Sequence, residues 1–406
     1  MRQLLRFYSL GIICLILSLI SFNCKNDSIG HNKHKASTVS DFPNVLDNHG
    51  VPDSSADRSV YIFSDLGAWH GYALPDKAST TFNGSFIGPY IMTQDNGVWL
   101  GKSLSKLEIV DQKNKLSIDL QNAKIVENSS YPNKLLQVLE VEYPKVMIST
   151  ELIFLSERTA AIKLNILNLE SDPLELMVRW KEESPFKDHT FTSHDNGVRL
   201  NFKNNKNIGW LSTSNQKEHQ FTISPYVYKL EINNFSVQPN QLFETYITHT
   251  FCFSEKERLQ EVPIINNFLA DPKLQITKNE SRWNKNLNEI FTNLKEGFRT
   301  KSHQSIAVKC LQTLNNNWKS SAGALKHDGL FPSYNYEWFN GFWSWDSWKH
   351  AVAIAQYDTE LAQEQIKAMY HFQDEKGMIA DCVYRDNVIE ENNWRDTKPP
   401  LSAWAT

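Results

Sequence analysis

The 406-residue chain lacks a sustained run of basic residues, and its formal net charge is −4. Nucleic-acid binding depends on clustered Lys and Arg side chains that neutralise phosphates, so we expect no nucleic-acid partner. The sequence also lacks the Gly-x-x-x-x-Gly-Lys phosphate loop, the Gly-x-Ser-x-Gly elbow and the His-Glu-x-x-His zinc motif. These absences argue against nucleotide hydrolysis, serine esterase chemistry and zinc peptidase chemistry.

Cysteine is scarce: the chain has five, and no two form a Cys-x-x-Cys pair. Cys252, Cys310 and Cys382 lie far apart, so we predict neither a disulfide framework nor a zinc site and expect all three to be buried small hydrophobic residues. The Asp-x-Asp-x-Asp-Gly loop typical of calcium sites is absent as well. The sequence predicts no metal and no cofactor.

The N terminus has the pattern of a targeting segment. Arg2 and Arg6 precede an apolar run over residues 7–22, which is short for a membrane span and typical of a secretory signal. Cys24 follows in a loose bacterial lipobox, with Asn23 in place of the usual small residue. We predict a lipoprotein signal peptide over residues 1–24, lipidation of Cys24 and a lipid-anchored protein of the bacterial cell envelope, periplasmic or on the surface. Ordinary secretion or a retained anchor is the alternative.

The next segments differ in hydrophobic periodicity. Residues 25–45 are polar and predict a tether. Over residues 46–272 apolar side chains alternate with a period of two, as in residues 146–154, and turn-forming clusters separate the alternating runs. This pattern predicts a large antiparallel β-sandwich.

The last third of the chain has a helical period. Residues 273–300 predict a helical linker, and residues 301–406 predict further helices, because apolar residues recur there at steps of three and four. Trp348, Val352 and Ala355 are expected to form one face of a helix, and Thr359 is the predicted N-cap of the next.

Residues 338–349 hold four of the chain's twelve tryptophans and one carboxylate, Asp346. An indole face matches the C–H face of a sugar ring, and a carboxylate beside it accepts hydrogen bonds from sugar hydroxyls. We favour a carbohydrate site containing Trp343, Trp345 and Asp346 over a plain aromatic core. Asp346 could instead only stabilise the N terminus of a helix that begins near it, and both roles are compatible.

Trp394, Arg395 and Lys398 are a second group of candidate sugar ligands, since a cation and an indole together can bind a polyol, and Pro399-Pro400 stiffens the backbone that presents Lys398. The local sequence supports equally a role of these residues in sugar binding and no functional role. The acidic residues around this group predict a solvated loop.

Two other segments favour turns. His327-Asp328-Gly329 predicts a turn, with a pocket rim as the alternative, and residues 65–70 predict a buried turn, with a loop contacting the other domain as the alternative.

These segments resemble the bacterial α-glucosidases of glycoside hydrolase family 63, relatives of eukaryotic mannosyl-oligosaccharide glucosidase. The resemblance rests on residues 339–349 (FNGFWSWDSWK), 393–401 (NWRDTKPPL), 327–333 (HDGLFPS), 62–70 (IFSDLGAWH) and 86–89 (FIGP). It implies an N-terminal β-supersandwich, a helical linker and an (α/α)6-barrel catalytic domain. It also implies an inverting mechanism, in which one carboxylic acid protonates the departing oxygen and a second carboxylate activates water.

In such enzymes the aspartate that matches Asp346 holds the non-reducing-end glucose, so the resemblance implies a sugar ligand here rather than the general acid. The resemblance also implies that Lys398, where relatives often have Gln, faces the same sugar. Twelve barrel helices of about 11–12 residues each need more residues than follow residue 300. We therefore expect only the first barrel helices, a general acid and base beyond residue 406, and no turnover by these residues alone.

The predicted function is an inverting glycoside hydrolase of the α-glucosidase type that releases glucose from the non-reducing end of an oligosaccharide. Two alternatives stay open. One is a non-catalytic carbohydrate-binding lipoprotein, and the other is a glycoside phosphorylase of the same architecture. The expected partners are an oligosaccharide and, through the lipid anchor, a membrane; the sequence predicts no oligomeric state.

Overall fold

A computed structural model describes eight stretches of the chain: residues 37–93, 97–186, 189–194, 197–203, 207–214, 219–386, 391–394 and 401–406. The predicted signal peptide, with the lipidation candidate Cys24, lies outside the described residues.

Two large sheets form the N-terminal part of the described chain. The first has the order β1-β2-β4-β10-β15-β14, with β3 paired to β2 and β5 paired to β4. Its strands are β1 (His70–Ala73), β2 (Ile87–Ile91), β3 (Val98–Trp99), β4 (Gly101–Asp111), β5 (Leu116–Ser117), β10 (Leu174–Pro185), β14 (His219–Ser224) and β15 (Val227–Val237). Its pairs are antiparallel except for one parallel contact between Gly88 of β2 and Ser103 of β4.

The second sheet is antiparallel and has the order β11-β12-β13-β16-β9-β8-β7-β6. Its strands are β6 (Lys124–Tyr131), β7 (Lys134–Val141), β8 (Val146–Phe154), β9 (Thr159–Asn168), β11 (His189–His194), β12 (Gly197–Phe202), β13 (Ile208–Thr213) and β16 (Leu242–Cys252).

Alternation along the strands explains why the sheets pack face to face. In β7 and in most of β8, every second residue is buried, as a period of two requires. The inward side chains of both sheets, among them Ile109, Ile148, Leu164 and Leu230, belong to one buried hydrophobic cluster. The predicted antiparallel β-sandwich is confirmed.

A buried chain of polar groups joins the two sheets. Tyr228 Oη donates to the Leu104 carbonyl at 2.7 Å, so it accepts from Ser105 Oγ at 2.6 Å. Ser105 Oγ in turn accepts from His249 Nε2 at 2.7 Å, and His249 Nδ1 lies 3.0 Å from Tyr72 Oη. Burial lowers the pKa of His249 to about 3, so the ring is neutral; with its proton on Nε2, Nδ1 accepts from Tyr72 Oη.

Helices dominate the chain after β16. They are α1 (Glu255–Ala270), α2 (Pro272–Asn293), α3 (Lys301–Asn317), α4 (Ser344–Ile354), α5 (Thr359–Tyr370) and α6 (Ser402–Ala405). Two pairs of short strands lie among them: β17 (Trp318–Lys319) with β18 (Gly329–Leu330), and β19 (Phe342–Trp343) with β20 (Cys382–Val383). The first helix, α1, begins within the range of residues 46–272 predicted for the sandwich.

Three local predictions are wrong. The N-cap of α5 is Asp358, which accepts a hydrogen bond from the Leu361 N–H, and Thr359 is the first helical residue. The buried face of α4 contains Ser347, Trp348, Ala351 and Ile354 rather than Val352 and Ala355, because the neighbouring elements cover that side. Cys252 and Cys382 are buried as expected, but Cys310 is exposed on α3.

The C-terminal end of the predicted tether is packed. Val39 and Phe42 are buried against Trp283 of α2 and Val308 of α3. Residues 25–36 lie outside the described residues, so the tether prediction can be compared with the structure only from residue 37 onward.

The sandwich and the helical region contribute side chains to one buried hydrophobic cluster. A turn at residues 65–67 lies where the two regions meet. Asp65 is fully buried, and its carboxylate accepts hydrogen bonds from Trp283 Nε1 at 2.7 Å and from the Arg282 guanidinium. A Cβ on Gly67 would lie 2.8 Å from the Ser320 nitrogen, so glycine permits this close approach. The predicted buried turn is thus found at residues 65–67, where it also contacts the helical region, and residue 70 begins β1.

Candidate functional site

The candidate sugar ligands lie around the N terminus of α4. Trp343 is the N-cap residue, and Asp346 lies in the first turn. Asp346 is thus placed where the helix dipole stabilises a carboxylate, and it is partly exposed. Trp345 lies one turn from Lys349, whose Nζ is 3.8 Å from the indole centroid, a cation–π contact.

The four tryptophans of residues 338–349 divide into two kinds. Trp348 is 3% exposed and packs near Tyr370 of α5, so it is a core residue. Trp338 is 55% exposed, and Trp343 and Trp345 are half-buried. The dense sequence cluster therefore combines one core residue with three indoles that reach the surface.

Short strand pairs bring the two groups of candidates together. β19 pairs with β20, with Trp343 opposite Cys382. On its other side, Cys382 forms a bridge with Asn393, whose N–H donates to the Cys382 carbonyl at 3.0 Å. Trp394 follows directly and is 43% exposed. Trp343 and Trp394 are thus on segments that flank the same strand.

A glycine permits the close approach of these segments. A Cβ on Gly341 would lie 2.5 Å from the Val383 carbonyl oxygen and 2.7 Å from the Tyr384 ring. The backbone before Trp343 can therefore reach β20 only because residue 341 has no side chain.

Two of the predicted ligands, Arg395 and Lys398, lie outside the described residues. Their proximity to Asp346 stays a prediction.

The acidic loop prediction is wrong for Asp381. This residue is 1% exposed and lies between the two candidate segments: its carbonyl accepts from the Ser344 N–H at 2.8 Å, and its N–H donates to the Asn393 carbonyl at 2.7 Å. Glu391 is exposed, as a solvated loop requires. Sequence reasoning missed Asp381 because its burial depends on pairing between segments that are distant in sequence.

Asp328 has a structural role. Its carboxylate accepts from the Trp318 indole N–H at 3.0 Å and from the Ser321 N–H at 2.8 Å. Burial raises the pKa of Asp328, which the two hydrogen bonds partly oppose. The predicted turn at residues 327–329 is wrong: Gly329 begins β18, and the chain turns at residues 323–324, between the bridged residues Ala322 and Leu325.

A small crevice lies at the contact between the sandwich and the helical region. Its walls include Trp69, Phe331, Asn340 and the ion pair of Arg385 with Asp386, whose atoms are 2.6 Å apart. None of Trp343, Trp345 and Asp346 lines it. We therefore place the candidate site at the N terminus of α4, where the half-buried indoles and the partly exposed carboxylate lie, and not in this crevice.

Two searches of the described residues gave negative results. These residues contain no group of three or more His, Cys, Asp or Glu side chains arranged to hold a metal ion. Within the same residues, no helix combines the length and the apolar character needed to cross a membrane.

Comparison with known families gives the sandwich a name. Residues 49–284, more than half of the chain, match the model described as "Glucosidase YgjK, N-terminal". The chain belongs to this glucosidase YgjK N-terminal family. Residues 340–406 match a second model, the mannosylglycerate hydrolase MGH1-like glycoside hydrolase domain. The YgjK-type sandwich is therefore followed by helices that begin a glycoside hydrolase domain, and the candidate residues lie within the second match.

Solved structures align with this chain at low sequence identity. A kojibiose phosphorylase candidate from the human microbiome aligns with a TM-score of 0.50 and 11% identity, over 88% of this chain and 50% of that protein. A family GH92 α-mannosidase from Bacteroides thetaiotaomicron aligns with a TM-score of 0.44 and 10% identity, over 87% of this chain and 52% of its own. The chain thus spans about half the length of these proteins.

Proposed function

We propose that the chain forms the sugar-holding part of an α-glucosidase-type glycoside hydrolase and binds the non-reducing-end glucose of an oligosaccharide. One observation carries the proposal: Asp346 is partly exposed in the first turn of α4, next to the half-buried Trp345 and three residues after the half-buried N-cap residue Trp343. The indoles would cover the C–H face of the sugar ring, and the carboxylate would accept hydrogen bonds from its hydroxyls. Trp394, Arg395 and Lys398 complete the proposed ligand set.

The proposed reaction is hydrolysis with inversion. An inverting enzyme places its acid and its base about 6.5–9.5 Å apart, with a water between the base and the anomeric carbon. We assign neither role to a described residue, since Asp346 is proposed as a sugar ligand. Proton NMR of the first-formed sugar would test inversion in the active enzyme: an α-glucoside should release the β-anomer, and initial release of the α-anomer would contradict the proposal.

Sugar binding is the primary test. Tryptophan fluorescence would be titrated with glucose and with mannose, because the two matching families are named for a glucosidase and a mannosylglycerate hydrolase. A charge-assisted hydrogen bond contributes about 1.5–3 kcal/mol, so Asp346→Asn should weaken binding about 10-fold or more. Asp119→Asn, at an exposed turn of the sandwich, is the matched control and should leave binding unchanged. Equal affinity of Asp346→Asn and wild type would remove Asp346 from the site.

The same protein distinguishes two other functions. Tight sugar binding without turnover would favour a non-catalytic carbohydrate-binding lipoprotein. Release of glucose 1-phosphate only when inorganic phosphate is present would favour a glycoside phosphorylase. Release of free glucose in phosphate-free buffer supports hydrolysis.

We also propose a lipid anchor in the bacterial cell envelope. The support is in the sequence: Arg2 and Arg6 precede the apolar residues 7–22, and Cys24 follows. Metabolic labelling with a radioactive fatty acid should mark the wild type and not Cys24→Ser. Labelling of both proteins, or of neither, would contradict lipidation at Cys24.

A further inference from the structure

An irregular loop over residues 331–341, between β18 and β19, leads into the candidate site and carries several aromatic side chains of its own. Tyr336 and Trp338 of this loop are more than half exposed. The Tyr336 and Phe339 rings are 5.1 Å apart, and Phe339 contacts the Trp343 indole edge-to-face at 5.3 Å. A displacement of this loop would therefore move the indole at the N-cap of α4.

Tyr334 is a buried residue that connects this loop to the rest of the protein by hydrogen bonds. Tyr334 is 7% exposed, and its N–H donates to the Asn317 side-chain oxygen at 2.7 Å. Its hydroxyl accepts from the Ile62 N–H at 3.0 Å, and its carbonyl accepts from Tyr90 Oη at 3.3 Å. Ile62 and Tyr90 belong to the YgjK-type domain, whereas Asn317 ends α3.

The connection continues into the sandwich. Tyr90 Oη also accepts from the Arg58 guanidinium, and the Tyr90 and Tyr334 rings are 6.3 Å apart. Ile62 is fully buried, so the loss of its acceptor would leave its N–H without a partner away from water. An unsatisfied buried donor is unfavourable, so conformations in which the loop shifts and water reaches the Ile62 N–H should become more populated.

We propose that Tyr334 is a positioning residue through which the sandwich sets the aromatic loop for sugar binding. The inference rests on the proposed function, because the loop is expected to affect sugar binding through Trp343, which is a proposed sugar ligand. It gives the YgjK-type domain a role in ligand affinity, although none of its residues is proposed to touch the sugar.

Tyr334→Phe tests the inference, and Tyr72→Phe is the matched control. Tyr72 is equally buried and also loses one hydrogen bond, to His249, but it lies between the two sheets. Both variants should be less stable than wild type by similar amounts. At a temperature where all three proteins are folded, only Tyr334→Phe should weaken glucose or mannose binding, by on the order of 10-fold.

Hydrogen exchange measured by mass spectrometry supplies a readout that needs no sugar. Peptides covering residues 335–343 should exchange faster in Tyr334→Phe and at the wild-type rate in Tyr72→Phe. Unchanged affinity in Tyr334→Phe, or equal losses in both variants, would overturn the positioning role and leave the proposed function standing. A wild type that binds neither sugar would overturn both.

Discussion

The sandwich and the candidate site place their polar groups in different environments. In the sandwich, His249 lies in a chain of hydrogen bonds whose donors and acceptors are fixed between two long-stranded sheets. At the site, Asp346 is accessible on a helix N terminus, and two-residue strands hold the segments around it. The comparison teaches that the large sheets provide stability, whereas a few close contacts determine the geometry of the site.

Of the substitutions considered, Gly341→Ala should have the largest effect, because it should disrupt the candidate site. The new Cβ would lie 2.5 Å from the Val383 carbonyl, so β19 and β20 must separate. We expect a loss of about 3 kcal/mol of stability and loss of measurable sugar binding, checked by urea unfolding and fluorescence titration. Gly297→Ala is the control, because a Cβ there has no neighbour within 4 Å. Wild-type binding by Gly341→Ala would show that the close approach is not needed.

Acid should weaken the sandwich. The folded-state pKa of His249 is about 3, below its ordinary value of 6.5, so the unfolded chain binds more protons between these pH values. Stability due to His249 is therefore present above pH 6.5 and lost as the pH falls towards 3. Between pH 7 and 4 the loss is about 3 kcal/mol. In urea unfolding, the free energy of unfolding of His249→Gln should fall by about 3 kcal/mol less than that of wild type between pH 7 and 4. An equal fall in both proteins would show that other groups cause the acid sensitivity.

Raising the pH above 7 should increase the stability of the folded protein through Lys319. Burial lowers the pKa of Lys319 to about 7 from 10.5, although its Nζ donates to the carbonyls of Asn316 and Trp318. The unfolded chain thus binds more protons between pH 7 and 10.5, and stability rises with pH there, by about 2 kcal/mol up to pH 9. Lys319→Met should lose this rise, whereas Lys309→Met, exposed on α3, should keep it. A rise that persists in Lys319→Met would contradict the assignment.

The smallest effect concerns the cap of α5. Asp358→Ala removes the acceptor of the Leu361 N–H and should cost about 1 kcal/mol in thermal or urea unfolding. Thr359→Ala should be nearly neutral, because Thr359 is already inside the helix. A larger loss of stability in Thr359→Ala than in Asp358→Ala would indicate that Thr359 is the N-cap.

The sandwich could be predicted from the sequence because its signal is local. Alternation in residues 146–154 reports burial on one face of β8 without knowledge of any partner strand. The cap of α5 was placed one residue late, since Asp358 and Thr359 are both good N-caps and local sequence does not distinguish them.

The site was only partly predictable, since its geometry depends on contacts distant in sequence. Residue types alone identified Trp343, Trp345 and Asp346 as candidates, and the structure places them together at the start of α4. The burial of Asp381 and the anchoring of Tyr334 by Ile62 have no local signal. Ile62 and Tyr334 are 272 residues apart in the chain.

The most direct test of the central claim is an NMR titration of the tryptophan indole N–H signals with glucose and mannose, assigned with Trp→Phe variants. The signals of Trp343 and Trp345 should shift with sugar concentration, and those of Trp348 and Trp180, which are buried, should not. Shifts confined to tryptophans of the sandwich, with Trp343 and Trp345 unaffected, would contradict a sugar site at the N terminus of α4.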